Sequence, residues 1–296
     1  MHLNSDFSHF FISSSSSSLG HCVPPFAHLS FSIPPPRRPS NDYMSSFEGT
    51  ARWTRLPIRT RPHRNPLADN DDEHPESPGD FTEKMMSHYP NMNATVEVVD
   101  VGCAFGGMLF RMAPLFPTTC MLGLEIRPKV VAFAQEKVTA LRVENAAHLS
   151  EHYRNIWFEQ LNVMKYGSNC FTKGQLKMLF FCYPDPHWKR KNIRRRIISP
   201  SLVQEYAYWL RVGGLLFTVS DVEGLETWMT ECLDACPLFR RLTDDEVTKD
   251  PRVAEVLEIA KNASEDAQRT ERKGLNKFFA IHIRIKSPHY AHGTSI

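Results

Sequence analysis

From Val96 onward the chain alternates short continuous apolar runs with stretches whose apolar positions recur at helical spacing. Runs near 96–101, 119–125, 155–161, 177–183 and 214–220 read as strands buried on both faces, and segments near 107–114, 129–143, 199–211 and 222–235 read as helices. That order predicts an α/β protein built on a doubly wound, mostly parallel sheet. A last run, Lys277-Phe278-Phe279-Ala280-Ile281-His282-Ile283-Arg284-Ile285, alternates more strictly and predicts an antiparallel strand near the sheet edge.

The residues before Val96 break this pattern. Twelve of the 21 prolines fall in the first 90 residues, a density that excludes helices and central strands. Residues 13–18 are six consecutive serines, and Pro24, Pro25, Pro34, Pro35, Pro36 and Pro39 follow. The expected organisation is therefore a disordered Ser/Pro-rich tail at 1–50, a charged linker or arm at 51–93, the enzyme-sized domain at 94–287 and a short tail at 288–296. Within the arm, Arg52, Arg55, Arg59, Arg61 and Arg64 precede a run of acids from Asp69 to Glu83; the arginines suit phosphate contact, the acids a solvated linker. The serine-rich, acid-poor start also has the character of an organellar presequence, and Met44 is an alternative initiator.

Composition narrows the class. No window approaches the roughly 20 apolar residues a membrane helix requires, so no membrane partner is expected. The seven cysteines are odd in number and lack any Cys-x-x-Cys pair, which argues against a disulfide framework and predicts no metal site. Cys232 and Cys236, four apart in an apolar helical stretch, are read as packing residues. The net charge of +2 looks unpromising for a nucleic-acid binder, but it is unevenly spread: six of the eight residues Lys189 to Arg196 are cationic.

Two turns carry candidate chemistry. Val98-Val99-Asp100-Val101-Gly102-Cys103-Ala104-Phe105-Gly106-Gly107 is a buried strand entering a glycine turn, where the absence of a Cβ lets a ligand approach the backbone. Ala104 stands where a dinucleotide fingerprint needs its second glycine, so pyrophosphate is disfavoured. Glu125 ends the next strand and can accept both hydroxyls of a ribose, which points to an adenosine-containing ligand without a pyrophosphate. These features look like the S-adenosylmethionine site of a class I methyltransferase; an ordinary strand-turn-helix of another doubly wound protein is the alternative.

The second turn follows the fourth strand as Pro184-Asp185-Pro186-His187-Trp188. Prolines on both sides of Asp185 favour extended backbone there and project a carboxylate from the strand's carboxyl end. Lys189, Arg190, Arg194 and Arg195, beside it, are candidate phosphate contacts; a solvated face or a nuclear localisation signal is the bland reading of the run. His187 and Trp188 could stack on a base, although a packed tryptophan is the commoner outcome.

Together these residues resemble one family. Phe181-Cys182-Tyr183-Pro184-Asp185-Pro186-His187-Trp188-Lys189-Arg190 is similar to the signature of tRNA (guanine-N7-)-methyltransferases, as are Leu122 to Arg127, Arg196 to Pro200, Glu205-Tyr206-Ala207 and Leu210 to Gly214. The resemblance runs from about His63 to Ile285 and looks like the eukaryotic catalytic subunit. It implies a seven-stranded, Rossmann-like class I fold and S-adenosylmethionine as methyl donor. It implies that Gly102, Glu125, Ile126, Arg127, Asn162, Val163 and Cys182 bind the cofactor, that Asp185 is catalytic, and that Ser264 and Asp266 match a Thr-x-Glu element at the substrate. It further implies methylation of the variable-loop guanosine at position 46 of tRNA, a non-catalytic WD-repeat subunit as partner, and residence in the nucleus, with the cytoplasm, or an organelle if the N-terminal segment is a presequence, as the alternative. Ala104, Val163, Ser264 and Asp266 depart from the family's usual residues. A methyltransferase for another RNA, or a catalytically weak RNA-binding subunit, is the alternative function.

Overall fold

The computed structural model describes residues 64–68, 73–90, 95–145 and 153–287. The expected tails at 1–50 and 288–296, Met44, and Arg52 to Arg61 lie outside the described residues.

A seven-stranded sheet forms the centre, in the order β3-β2-β1-β4-β5-β7-β6. Its strands are β1 (Val96–Val101), β2 (Cys120–Glu125), β3 (Ile156–Gln160), β4 (Leu176–Cys182), β5 (Leu210–Ser220), β6 (Phe239–Arg241) and β7 (Phe278–Arg284). The first five are parallel, and β7 runs antiparallel between β5 and β6. The strictly alternating run is thus antiparallel as expected, but the edge itself is β6, only three residues long. Strand β5 starts at Leu210 rather than near 214: Leu210 already pairs with Leu176, ahead of an irregularity where Gly213 takes a positive φ of 84° and the register against β4 shifts before Met178.

The helices are α1 (Pro78–Met86), α2 (Gly107–Met112), α3 (Pro128–Glu144), α4 (Val163–Tyr166), α5 (Pro200–Trp209), α6 (Glu223–Asp234), α7 (Asp244–Lys249), α8 (Pro251–Asn262) and α9 (Glu265–Arg272). They cover both faces. Along β4, Leu179 and Phe181 enter one core layer with Phe171, Tyr206 and Trp209, while Met178 and Phe180 enter the other with Phe110, Phe158 and Phe217. Such two-sided burial is why the parallel strands read as unbroken apolar runs.

Helix α1 corrects the reading of 51–93 as a linker throughout. Ser77 caps it by accepting the Asp80 N–H, Pro78 sits at its start, and Phe81, Met85 and the following Tyr89 are fully buried, with Tyr89 Oη donating to the Met121 carbonyl at 3.0 Å. The surrounding acids masked a short apolar spacing that belongs to the core. Cys232 and Cys236 are buried packing residues of α6 and its C-terminal turn.

Candidate active site

The carboxyl ends of β1 to β4 place the predicted residues along one edge of the sheet. After β1 the chain turns through three left-handed residues, Gly102 (φ 77°), Ala104 (φ 47°) and Gly106 (φ 79°). The Gly102 and Cys103 N–H groups both donate to the Leu124 carbonyl, at 2.7 and 3.1 Å, which ties the turn to β2. The glycines here serve different ends. A Cβ at Gly102 would meet nothing within 4 Å, so this position faces open space; at Gly106 it would strike the Phe158 ring at 2.3 Å, and at Gly107 the Ala263 carbonyl at 2.4 Å. Ala104 holds a conformation that costs a residue with a Cβ about 1 kcal/mol, so this departure bears on backbone strain as well as on contact.

Glu125, buried at the end of β2, accepts from Arg127 three times: from N and Nε at Oε1 (3.0 and 3.1 Å) and from an Nη at Oε2 (2.9 Å). Burial disfavours the Arg127 charge, but the hydrogen bonds and charge of Glu125, with Asp266 and Asp185 adding, raise the guanidinium above its ordinary value. Arg127 therefore links the β2 end, the Pro-Asp-Pro turn and the start of α9 in one field. Asn162, buried before α4, donates its amide to the Pro66 carbonyl at 2.7 Å, and Arg64 donates to the Ile126 carbonyl at 2.7 Å. Residues 64–66 of the arm thus lie against two predicted cofactor positions. Val163 packs into the core beside Gly167, and Cys182 ends β4 with its thiol 3.9 Å from the Met108 sulfur.

Asp100 carries no signal in the sequence beyond its place in an apolar run, yet it sits at the centre of this edge. It is 3% exposed, its Oδ1 has no hydrogen-bond partner among the described residues, and burial, with the Glu125 charge adding, pushes its carboxyl up to about 7. A folded-state value above the ordinary 3.8 means that the native protein holds this proton more tightly than the unfolded chain. The ligand-free fold therefore loses stability as pH rises from about 4 to about 7, on the order of 4 kcal/mol in full. Asp100→Asn removes that loss. Thermal scans of the ligand-free protein should show a raised Tm at pH 8 and a gain that shrinks as pH falls toward 4; a gain independent of pH would contradict it.

The Pro-Asp-Pro turn lies between two left-handed residues, Tyr183 (φ 54°) and His187 (φ 45°). It is held from three sides. Tyr183 N donates to the Val219 carbonyl at 2.7 Å, Tyr183 Oη to the Lys261 carbonyl at 2.7 Å, and Arg196 Nε to the Pro186 carbonyl at 3.0 Å. Backbone strain overdetermined in this way is a mark of functional turns. Arg196 is 8% exposed, with its guanidinium 4.9 Å from the centre of the Trp228 ring, so this member of the cationic run belongs to the fold. Lys189, Arg190, Lys191 and Arg194 are exposed on or beside a 3₁₀ helix (Arg190–Arg195); Arg195 is half-buried, and its Nε has no hydrogen-bond partner among the described residues.

Ser264 and Asp266 open α9. The Ser264 hydroxyl caps the helix by accepting the Ala267 N–H at 3.1 Å, and Asp266 pairs with Arg269 at 2.9 Å. The approach of Ser264 to the glycine turn is made possible by Gly107, which leaves room for the Ala263 and Ser264 backbone. Between them, Glu265 keeps a buried Oε2 without a hydrogen-bond partner among the described residues; burial raises its carboxyl, and Lys137 opposes the rise. No group of three or more His, Cys, Asp or Glu among the described residues is arranged to hold a metal.

A family model described as "Putative methyltransferase" matches residues 94–280. Three curated proteins named tRNA (guanine-N(7)-)-methyltransferase are similar to this chain. That of Caenorhabditis briggsae is 44% identical, over 78% of this chain and 88% of its own. That of Arabidopsis thaliana is 42% identical, over 77% and 90%, and that of Schizosaccharomyces pombe 40%, over 81% and 88%. Among solved structures, the aminoglycoside resistance methyltransferase NpmB1 aligns with a TM-score of 0.44 at 14% identity, covering 69% of this chain and 93% of its own.

Proposed function

Since this chain belongs to the tRNA (guanine-N7-)-methyltransferase family and uses S-adenosylmethionine as its methyl donor, we propose that it methylates the variable-loop guanosine at position 46, with Asp185 as the catalytic residue. The observation that carries the reading is the placement of Asp185. Its turn is pinned at the carboxyl end of β4, on the same sheet edge as the glycine turn and Glu125, next to exposed cations.

The residues at the edge fit the donor. A Cβ at Gly102 would meet nothing within 4 Å, so the turn leaves open space for the donor, and the buried acids Asp100 and Glu125 stand on the two strands that flank it. Gly102, Glu125, Ile126, Arg127, Asn162, Val163 and Cys182 would hold it. An ionised carboxylate offers about four acceptor sites, and Arg127 engages three, so Glu125 keeps one site, enough for a single ribose hydroxyl; accepting both hydroxyls requires Arg127 to release one of its hydrogen bonds. When bound, S-adenosylmethionine supplies a methyl group on positively charged sulfur.

Guanine N7 is an acceptor lone pair that carries no proton, so the protein needs no base to prepare it. Asp185 instead accepts from N1–H and the exocyclic amine, which orients the ring, and its charge stabilises the cation that develops on the purine. Fixed orientation supplies much of the remaining acceleration. Asp266 adds to the field at Arg127, and in this proposal it and Ser264 bound the substrate on the α9 side.

A tRNA transcript with adenosine in place of guanosine 46 tests the target: it should accept no methyl groups, whereas methylation at the wild-type level would overturn the assignment. The surface cations give a separate prediction. Reversing Lys189, Arg190 and Arg194 to Glu should weaken tRNA binding at least tenfold at moderate salt and flatten the salt dependence by about one unit of slope for each phosphate these side chains neutralise. Calorimetry should find cofactor affinity unaltered. Unchanged tRNA affinity and slope would remove these residues from the interface. Arg196 is excluded from this set because reversing it would break the turn that holds Asp185.

A WD-repeat subunit as partner and residence in the nucleus complete the proposal, supported by the resemblance of the motif set to eukaryotic members. Co-purification followed by methylation with and without the partner measures the first, and localisation of the tagged full-length chain the second.

A further inference from the structure

We propose that Trp188 is a base-stacking residue, holding a nucleotide next to the target guanosine rather than the target itself; the proposal rests on the tRNA reading above. The other tryptophans among the described residues are packed. Trp209 is fully buried, Trp228 donates Nε1 to the Ile198 carbonyl at 2.9 Å, and Trp157 stacks on His88 with ring centres 4.1 Å apart. Trp188 is 65% exposed. An indole left in water forfeits the largest burial gain any side chain can make, which suits a surface meant to be covered.

Its backbone, by contrast, is fixed. His187 is left-handed, Pro184 and Pro186 restrict the chain before it, and the Pro186 carbonyl is held by Arg196, itself packed on Trp228. A flat ring on a fixed stem, followed directly by exposed Lys189, Arg190 and Lys191, combines the two elements of single-strand recognition: a stacking face and charges for the phosphates. The charges favour a polyanion over an apolar protein surface as the occupant.

Position decides which base it takes. A Cβ at Gly224, in the first turn of α6, would lie 3.9 Å from the Trp188 ring, so the indole sits on the β5 side of β4. The cofactor residues Gly102 and Glu125 come from β1 and β2, on the other side. The reacting guanine has to lie between Asp185 and those residues. The base on Trp188 is therefore its neighbour in the RNA, and stacking it draws the target nucleotide out of its own stack.

The test uses the full-length chain and unmodified tRNA transcripts, intact or abasic at the nucleotide 5′ or 3′ of the target. Trp188→Ala should raise KM and Kd for intact tRNA about tenfold, with the salt slope and cofactor affinity unchanged. Trp188→Phe should restore binding to within about threefold of wild type, whereas Trp188→Leu, apolar but without a π face, should not. One of the two abasic transcripts should bind wild type as weakly as intact tRNA binds the Ala variant, and should bind that variant no more weakly still. Unchanged affinity in the Ala variant would overturn the proposal, as would Leu matching Phe. A loss independent of both abasic sites, as expected if a protein covers Trp188, would also overturn it. Wild-type enzyme that transferred no methyl group to intact tRNA would instead defeat the reading beneath it.

Discussion

Asp185→Asn is expected to lower kcat for tRNA methylation by about 10²- to 10³-fold, the loss typical of removing one fixed electrostatic group, while cofactor affinity stays within about twofold. The substitution keeps the shape of the side chain and the constraints on its backbone: Tyr183 still bonds Val219 and Lys261, and Arg196 still holds Pro186. On the proposed reading, what changes is the charge facing the purine and one of the two acceptors for guanine. Single-turnover rates with saturating tRNA, beside calorimetric binding of the cofactor, separate this from a folding defect. A variant with the wild-type rate would show that Asp185 has no part in the chemistry.

The glycine turn provides the second large effect, as a contrast between two positions. Gly102→Ala places a methyl group in open space at a left-handed residue, so it should cost about 1 kcal/mol of stability yet weaken cofactor binding tenfold or more, because on the proposed reading that space receives the cofactor. Gly107→Ala does the reverse. Its methyl would lie 2.4 Å from the Ala263 carbonyl, backbone that cannot rotate away, so the corner between α8 and α9 must shift. Overpacking of this kind costs about 2 kcal/mol, or a Tm lower by roughly 4–8 °C. Activity should fall with it, since Ser264 and Asp266 move away from the turn. Equal effects of the two substitutions on Tm and on cofactor affinity would refute the division of roles.

The pattern of apolar residues was sufficient for the parallel sheet because each central strand is buried on both faces, and it located Gly102, Glu125 and Asp185 on one edge. It failed where burial is short or hidden among charges. Strand β6 is only Phe239-Arg240-Arg241, α1 buries its apolar residues in a stretch rich in acids, and α7 to α9 lie in the polar segment 244–272. The site was incomplete for a different reason: its remaining members depend on contacts between residues far apart in the chain. Nothing local marks Arg196 as the buried cation of its run, Trp188 as an exposed tryptophan, or Gly107 as the position that admits Ala263. The high cost of charging Asp100 likewise follows from two flanking strands and Glu125, not from its neighbours in sequence.

The claim that the chemistry here is charge stabilisation at an unprotonated ring nitrogen, and not proton removal by a base, fixes the atom that receives the methyl group. Labelled methyl groups transferred by the purified enzyme, with and without the proposed WD-repeat subunit, to unmodified tRNA can be assigned after digestion to nucleosides and mass spectrometry. All of the label should appear in 7-methylguanosine; label in 1-methylguanosine or N2-methylguanosine, whose formation requires loss of a proton, would contradict the account.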